Sequence, residues 1–212
     1  SAASDVYKRQ EYQEASLRHL VLGAVGIVVT PAKWYGEDGP LAIRGLNVRN
    51  GYLDMTETVR MSCEGDALHP KSRLREGDVV IVRTGDAGRA AVVPREFEGT
   101  QAVDVLIVRC GPTLQPQFLV DLLSSRVLDD AINTSTSGTI QGHLNVGALK
   151  ALSVPLPSVA EQRELTTFWH QETSKIDTLI AKAERFIELA QERRAALITA
   201  AVTGQIEIPT ED

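Results

Sequence analysis

The spacing of apolar and polar residues divides the chain into two parts with different periods. From Glu11 to about Val154, short apolar runs alternate with turn-forming residues, beginning with Gly23, Gly26, Pro31, Gly36, Gly39 and Pro40. Pro40-Leu41-Ala42-Ile43 reads as a short buried strand, and Asn50-Gly51 is a tight-turn signal leading into Tyr52-Leu53-Asp54-Met55. Glu76-Gly77-Asp78 turns into the apolar strand Val79-Val80-Ile81-Val82. Gly85-Asp86-Ala87-Gly88 then turns into Ala90-Ala91-Val92-Val93. Val103 to Val108 predicts a further strand, apolar at every position but Asp104. Gln117 to Asn133 predicts one helix, with Phe118, Leu119, Leu122, Leu123, Val127 and Leu128 along one side. Leu152 to Ser158 predicts an extended segment broken by two prolines. Strands and a helix without βαβ spacing predict a mixed α+β domain.

The second part is a single helical pattern. Ala160 to Val202 contains neither proline nor glycine, Ser158 and Glu161 have the spacing of a capping box, and Gly204 stands where a helix-ending glycine is expected. Leu165, Trp169, Ile176, Leu179, Ala183, Phe186, Ala190, Leu197 and Ala200 follow the alternating four-three spacing of a heptad seam. Glu172 and Arg193 interrupt the seam, while Ile180 and Ile187 widen it, so more than one neighbour is expected. A helix of this length reaches about 64 Å, too long for a small domain to bury on itself. A partner helix is implied, with a helix folded back on its own domain as the alternative. The expected organisation is a domain over 11–158, a long coiled-coil-forming helix over 159–204 and a tail over 205–212. Residues 1–10 have no apolar period and resemble a translated sequencing adapter. They are expected to be non-native, and the chain part of a longer protein.

Composition adds exclusions. With 43% hydrophobic and 24% charged residues, the chain has the make-up of a soluble globular protein. No apolar run approaches the ~20 residues of a membrane span. Cys63 and Cys110 lack metal-ligand spacing and read as reduced thiols in a cytoplasmic protein. The net charge is -6, and residues 11–158 hold 14 Lys and Arg against 17 Asp and Glu. A basic stripe can coexist with an acidic back. If the domain binds nucleic acid, its affinity alone is expected to be weak.

No phosphate loop, dinucleotide fingerprint or nucleophile elbow is present, and His19, His69, His143 and His170 are scattered. What remains is three polar clusters. Arg44, Asn47, Arg49, Asn50 and Tyr52 follow a short strand; Arg83, Thr84, Asp86 and Arg89 surround the two-glycine turn; Ser137, Thr139, Gln141, His143 and Asn145 fall in and after a Ser/Thr-rich stretch. Arg, Asn and Gln can read base edges bidentately, and hydroxyls and glycine amides suit phosphates. Solvated loops are the alternative reading.

Val154-Pro155-Leu156-Pro157 followed by Glu161-Gln162 resembles the domain–helix junction of type I restriction–modification specificity subunits. Thr173 to Ile180, Glu192 to Ile198 and Ala201 to Ile206 resemble the conserved helical region of that family. Thr30-Pro31, Leu74 to Val80, Gly85 to Gly88, and Gly138-Thr139 with Leu144 and Leu149 resemble its more variable target recognition domains. The resemblance spans about Leu17 to Ile208. It implies one recognition domain and one spacer helix, against two of each in a full subunit. Arg44, Asn47, Arg49, Asn50, Tyr52, Arg83, Thr84, Arg89, Ser137, Thr139, Gln141 and His143 are then the candidate DNA contacts. Implied partners are double-stranded DNA, methyltransferase subunits, a restriction/translocase subunit, and a second half-subunit or copy joined through the helix. The chain itself is expected to be non-catalytic and without cofactor, with S-adenosylmethionine, ATP and Mg bound by partner subunits. It is either a fragment of a full subunit or a dimerising half-subunit. A coiled-coil scaffold without DNA readout and a small enzyme of unrecognised type are the competing readings.

Overall fold

Strand β5 (Val79–Val82) lies at the centre of the domain because its four β-branched side chains are all buried. In a strand, successive side chains point to opposite faces, so burial of all four requires cover on both. In this computed structural model, which describes residues 12–25, 31–125, 128, 132 and 144–205, that cover comes from a second sheet and from helices. β5 pairs antiparallel with β6 (Ala90–Val92) and β8 (Val105–Cys110), and β8 pairs in turn with β2 (Val21–Val25). A three-stranded sheet places β3 (Leu41–Arg44) between β4 (Val59–Arg60), antiparallel, and β7 (Gln101–Val103), parallel.

The two sheets share one core. Ile43 and Ala102 from the smaller sheet meet Val80, Val82, Ala91, Val105 and Ile107 from the larger, with Val48, Leu74 and Val93 completing the cluster. Ala42 and Val103 face the other way, onto Met61 with Trp34, Tyr35 and Val59. On the far side of the larger sheet, α2 (Pro116–Leu123) packs beside β6 and α3 (Val146–Ala151) beside β2. A short helix α1 (Cys63–Leu68) is capped by Ser62, whose Oγ accepts from the Gly65 N–H at 3.0 Å. β1 (Glu14–Ser16) and β9 (Ser153–Pro155) form a separate antiparallel pair. The mixed α+β architecture is as expected.

Two elements depart from the sequence reading. The strand expected over Val103 to Val108 is two strands in different sheets, divided at Asp104, whose φ of 53° is left-handed. The helix expected over Gln117 to Asn133 is interrupted after Leu123, with Leu128 and Ile132 again helical. There Ser124 Oγ donates to the Val120 carbonyl and Ser125 Oγ to the Leu122 carbonyl, the local competition by which serine weakens a helix. Leu128, expected on the same apolar side, is buried.

The chain divides into two compact units, Ser1–Thr166 and Thr167–Asp212. Helix α4 (Val159–Val202) starts in the first and supplies the second. Its start is a capping box: the Ser158 N–H donates to Glu161 Oε2 at 2.9 Å, and the Glu161 N–H to Ser158 Oγ at 3.4 Å. Its end is a Schellman motif at Gly204 (φ 72°). The Gly204 N–H donates to the Ala201 carbonyl at 3.2 Å and the Gln205 N–H to the Ala200 carbonyl at 2.8 Å.

Candidate nucleic-acid interface

Two of the three polar clusters converge. The Asn50-Gly51 turn (Gly51 φ 86°) closes through the Arg49 N–H to the Tyr52 carbonyl at 2.9 Å and docks on β6 through the Gly51 N–H to the Ala90 carbonyl at 2.9 Å. The 85–88 turn enters the same strand, with Gly85 and Gly88 both left-handed. At Gly88 the left-handed backbone favours glycine, and a Cβ would stand 2.9 Å from Ile132 Cδ1, which would have to shift. Asn50, the turn from Gly85 to Arg89, and Leu123 and Ser124 at the end of α2 line an open, mostly polar cleft of about 330 Å³. Neither Leu123 nor Ser124 was expected there; both lie in the apolar helix pattern, which carries no sign of the cleft.

Within this region the candidates play different parts. Asn50 and Thr84 are exposed, as is Tyr52 at 61%. Asn47 is a correction, since its side chain is fully buried and cannot reach DNA. Its Oδ1 accepts from the Arg44 N–H at 3.0 Å, while Nδ2 donates to the carbonyls of Asp54 at 2.9 Å and Glu57 at 2.7 Å. It ties the loop that carries Arg49 and Tyr52 to the end of β3. Arg44 is half-buried and donates from Nη2 to the Glu57 carbonyl at 3.2 Å. Ser137, Thr139, Gln141 and His143 lie outside the described residues.

Three of the candidate arginines are held by aspartates. Arg49 donates from Nε and Nη2 to Asp54 Oδ2, at 3.3 and 3.0 Å. The other oxygen of Asp54 accepts from the Thr56 hydroxyl and N–H. These Thr56 bonds, and then Arg49, hold the Asp54 carboxyl below its ordinary pKa. Arg83 is largely buried; Nη1 donates to Asp104 Oδ1 at 2.9 Å and Nε to the Leu144 carbonyl at 3.5 Å, and its own carbonyl accepts from the Leu144 N–H. Arg89 pairs with Asp86, whose side chain is 70% exposed. Neither Asp54 nor Asp104 stands out in the sequence as an arginine partner. The Asp54-Met55-Thr56 spacing, which suits an aspartate bonding the backbone two residues on, was the available signal for the first. The separation of Asp104 from Arg83 in sequence hid the second.

Gln162, part of the junction motif, ties the first turn of α4 to Thr113, Gln115 and Pro157. It is fully buried. Its Oε1 accepts from the Gln115 N–H at 2.8 Å, and Nε2 donates to the carbonyls of Thr113 and Pro157, each at 2.8 Å. Farther along α4, Leu165 and Trp169 are half-buried, whereas Ile176 (54%), Leu179 (64%), Phe186 (73%) and Leu197 (50%) are exposed, together with Ala183 and Ala190. Cys63 and Cys110 are free thiols. Among the described residues no acidic, His or Cys cluster suited to a metal is found, and no helix is long and apolar enough to cross a membrane.

No protein-family model matches the chain. Its homologues among curated proteins are specificity subunits of type I restriction enzymes. The EcoBI specificity subunit of Escherichia coli is 25% identical over 173 residues, covering 80% of this chain and 36% of that protein. The StySPI specificity subunit of Salmonella potsdam is 22% identical over 174 residues, covering 77% and 36%. The chain thus spans about a third of the length of these relatives. A similar fold occurs in a chain solved in a study of assembly and conformational transition of the type I R-M system, with a TM-score of 0.71, 19% identity and coverage of 94% of this chain and 49% of that one. The HsdS subunit from Thermoanaerobacter tengcongensis is also similar, with a TM-score of 0.61, 18% identity and coverage of 81% and 39%.

Proposed function

We propose, from this kinship with type I restriction enzyme specificity subunits, that the chain reads one part of a split DNA site and directs partner subunits to it. The observation that carries the reading is homology over 80% of the chain to a named specificity subunit. The joining of a polar cleft and a 44-residue helix in one chain supports it. Residues 11–158 recognise DNA, with Arg49, Asn50, Tyr52, Thr84 and Arg89 as the exposed or partly exposed candidate contacts. Residues 159–204 pair with a second helix through Leu165, Trp169, Ile176, Leu179, Ala183, Phe186, Ala190 and Leu197, and hold the spacing between half-sites. Adenine methylation and DNA cleavage, with their S-adenosylmethionine, ATP and Mg, belong to the partner subunits, and the complex works in the cytoplasm.

Selection from a pool of random duplexes, using the full chain assembled with methyltransferase subunits, tests this reading. A recurring sequence is expected, with binding that weakens steeply as salt rises. Arg49→Ala is expected to relax the preference at one position, by about 1–3 kcal/mol if the arginine contacts a base. A complex that assembles but enriches no sequence contradicts DNA readout and favours a scaffold.

A further inference from the structure

The three arginine–aspartate pairs around the candidate interface are built differently. Asp54 is braced, with both oxygens engaged by Arg49 and Thr56. Arg83 is 15% exposed and tied to the Leu144 carbonyl as well as to Asp104, so it is the most enclosed of the three arginines. The Arg89–Asp86 pair alone lines the cleft itself. Both of its members sit on one turn, three residues apart, and Asp86 faces solvent over 70% of its side chain. No second side-chain partner of Asp86 occurs among the described residues, and Asn50 shares the cleft wall. An exposed ion pair of this kind is worth little and breaks readily, whereas an arginine bidentate on guanine or on phosphate is a strong, charge-assisted contact.

We infer that Asp86 is a specificity-determining residue: it occupies Arg89 at rest, and DNA must displace it before Arg89 can engage. The inference rests on the DNA-binding reading above. Its physical content is a competition. A lone phosphate offers Arg89 only an exchange of one anionic partner for another, and it also brings that phosphate toward the Asp86 carboxylate. A correctly shaped base edge adds directional acceptors, so the exchange is favourable at the cognate sequence and poor elsewhere. The acidic balance of the domain, 17 acids against 14 bases over residues 11–158, acts in the same direction by discouraging non-specific adhesion.

Asp86→Asn keeps the size of the side chain and removes its charge. In the full chain assembled with methyltransferase subunits, this variant is expected to bind a random duplex about two- to fivefold more tightly, the worth of an exposed ion pair. Its affinity for the selected duplex should rise by a smaller factor, because the cost of breaking the pair is common to both duplexes and only the random one sets a phosphate against the Asp86 carboxylate, so the ratio of cognate to random binding falls. The slope of log K against log salt for the random duplex should steepen by about 0.9, as for one additional cation engaged on phosphate. Arg89→Ala, and the double variant Asp86→Asn with Arg89→Ala, should both lack the added slope, which separates the pair's effect from a general change in charge. If wild-type complex shows sequence preference while Asp86→Asn leaves the random-duplex affinity and slope unchanged, the inference is overturned and the reading stands. If Asp86→Asn steepens the slope equally with and without Arg89, Asp86 acts only as a bulk charge, which also overturns it. If wild-type complex shows no sequence preference, the reading falls and the inference with it.

Discussion

A fully buried side-chain amide is exacting, because an end left unpaired costs stability, and two in this chain have both ends satisfied. Gln162 and Asn47 each make three hydrogen bonds, accepting one N–H and donating to two carbonyls. Removing such a side chain leaves buried backbone groups unpaired, which costs about 1–3 kcal/mol for each group that water cannot reach. Gln162→Ala is therefore expected to destabilise the domain by about 2–4 kcal/mol, and Gln162→Glu to do worse by setting a carboxylate against two carbonyls. Urea unfolding followed by circular dichroism checks this; an unchanged midpoint would deny Gln162 its anchoring part. Cysteine chemistry is equally local. Burial first, and then the Asp78 charge, push the Cys110 thiol up to about 12, while Cys63 is exposed. Cys63 donates to the Asp38 carbonyl, which raises its thiol pKa, so alkylation of native protein near pH 8 should modify Cys63 slowly and spare Cys110 until the protein is unfolded, which mass spectrometry reads directly.

At the scale of elements, the strands that sequence pattern made legible were those with long apolar runs. Val79–Val82 lies where expected, because β-branched residues between turn signals leave few alternatives, and Leu41–Arg44 overlaps the strand expected over Pro40 to Ile43. The expectation failed at Asp104, where the backbone turns left-handed and sends β7 and β8 to different sheets, and at Ser124, where hydroxyls take the carbonyls of α2. Both depend on a local geometry that hydrophobic period does not encode. Asn47 shows the same limit at the interface: its residue type suits base reading, but its burial comes from the loop that folds over it. The ends of α4 were readable because caps are local chemistry. The N-terminal cap also predicts an acid response. The Ser158 hydroxyl, then its N–H, hold Glu161 below its ordinary value of 4.5, and Arg73 and Gln101 hold Asp66 below its own. A carboxylate whose pKa is lower folded than unfolded stabilises above the unfolded value and loses that stabilisation as pH falls through the folded one. Thermal stability should accordingly decline below about pH 4; a melting temperature constant from pH 6 to 3 would contradict these bonds. On the exposed face of α4, Leu179→Glu with Phe186→Glu should abolish any association through the helix, seen in sedimentation as a loss of concentration-dependent mass.

For the whole molecule, the proposed function makes the domain and the helix a specificity device only when a second half-site reader is joined to them. Two copies joined by a two-fold axis would read identical inverted half-sites, whereas a longer protein carrying a second domain would read two different ones. The form of the target therefore reports the assembly as well as the readout. The most direct measurement is a map of methylated adenine in a methylation-free host that expresses the chain together with its methyltransferase subunits. The expected result is methylation confined to one recurring split sequence, present only when this chain is supplied. Methylation that is absent, scattered without a motif, or unchanged when the chain is left out would contradict the proposal that the chain selects the DNA.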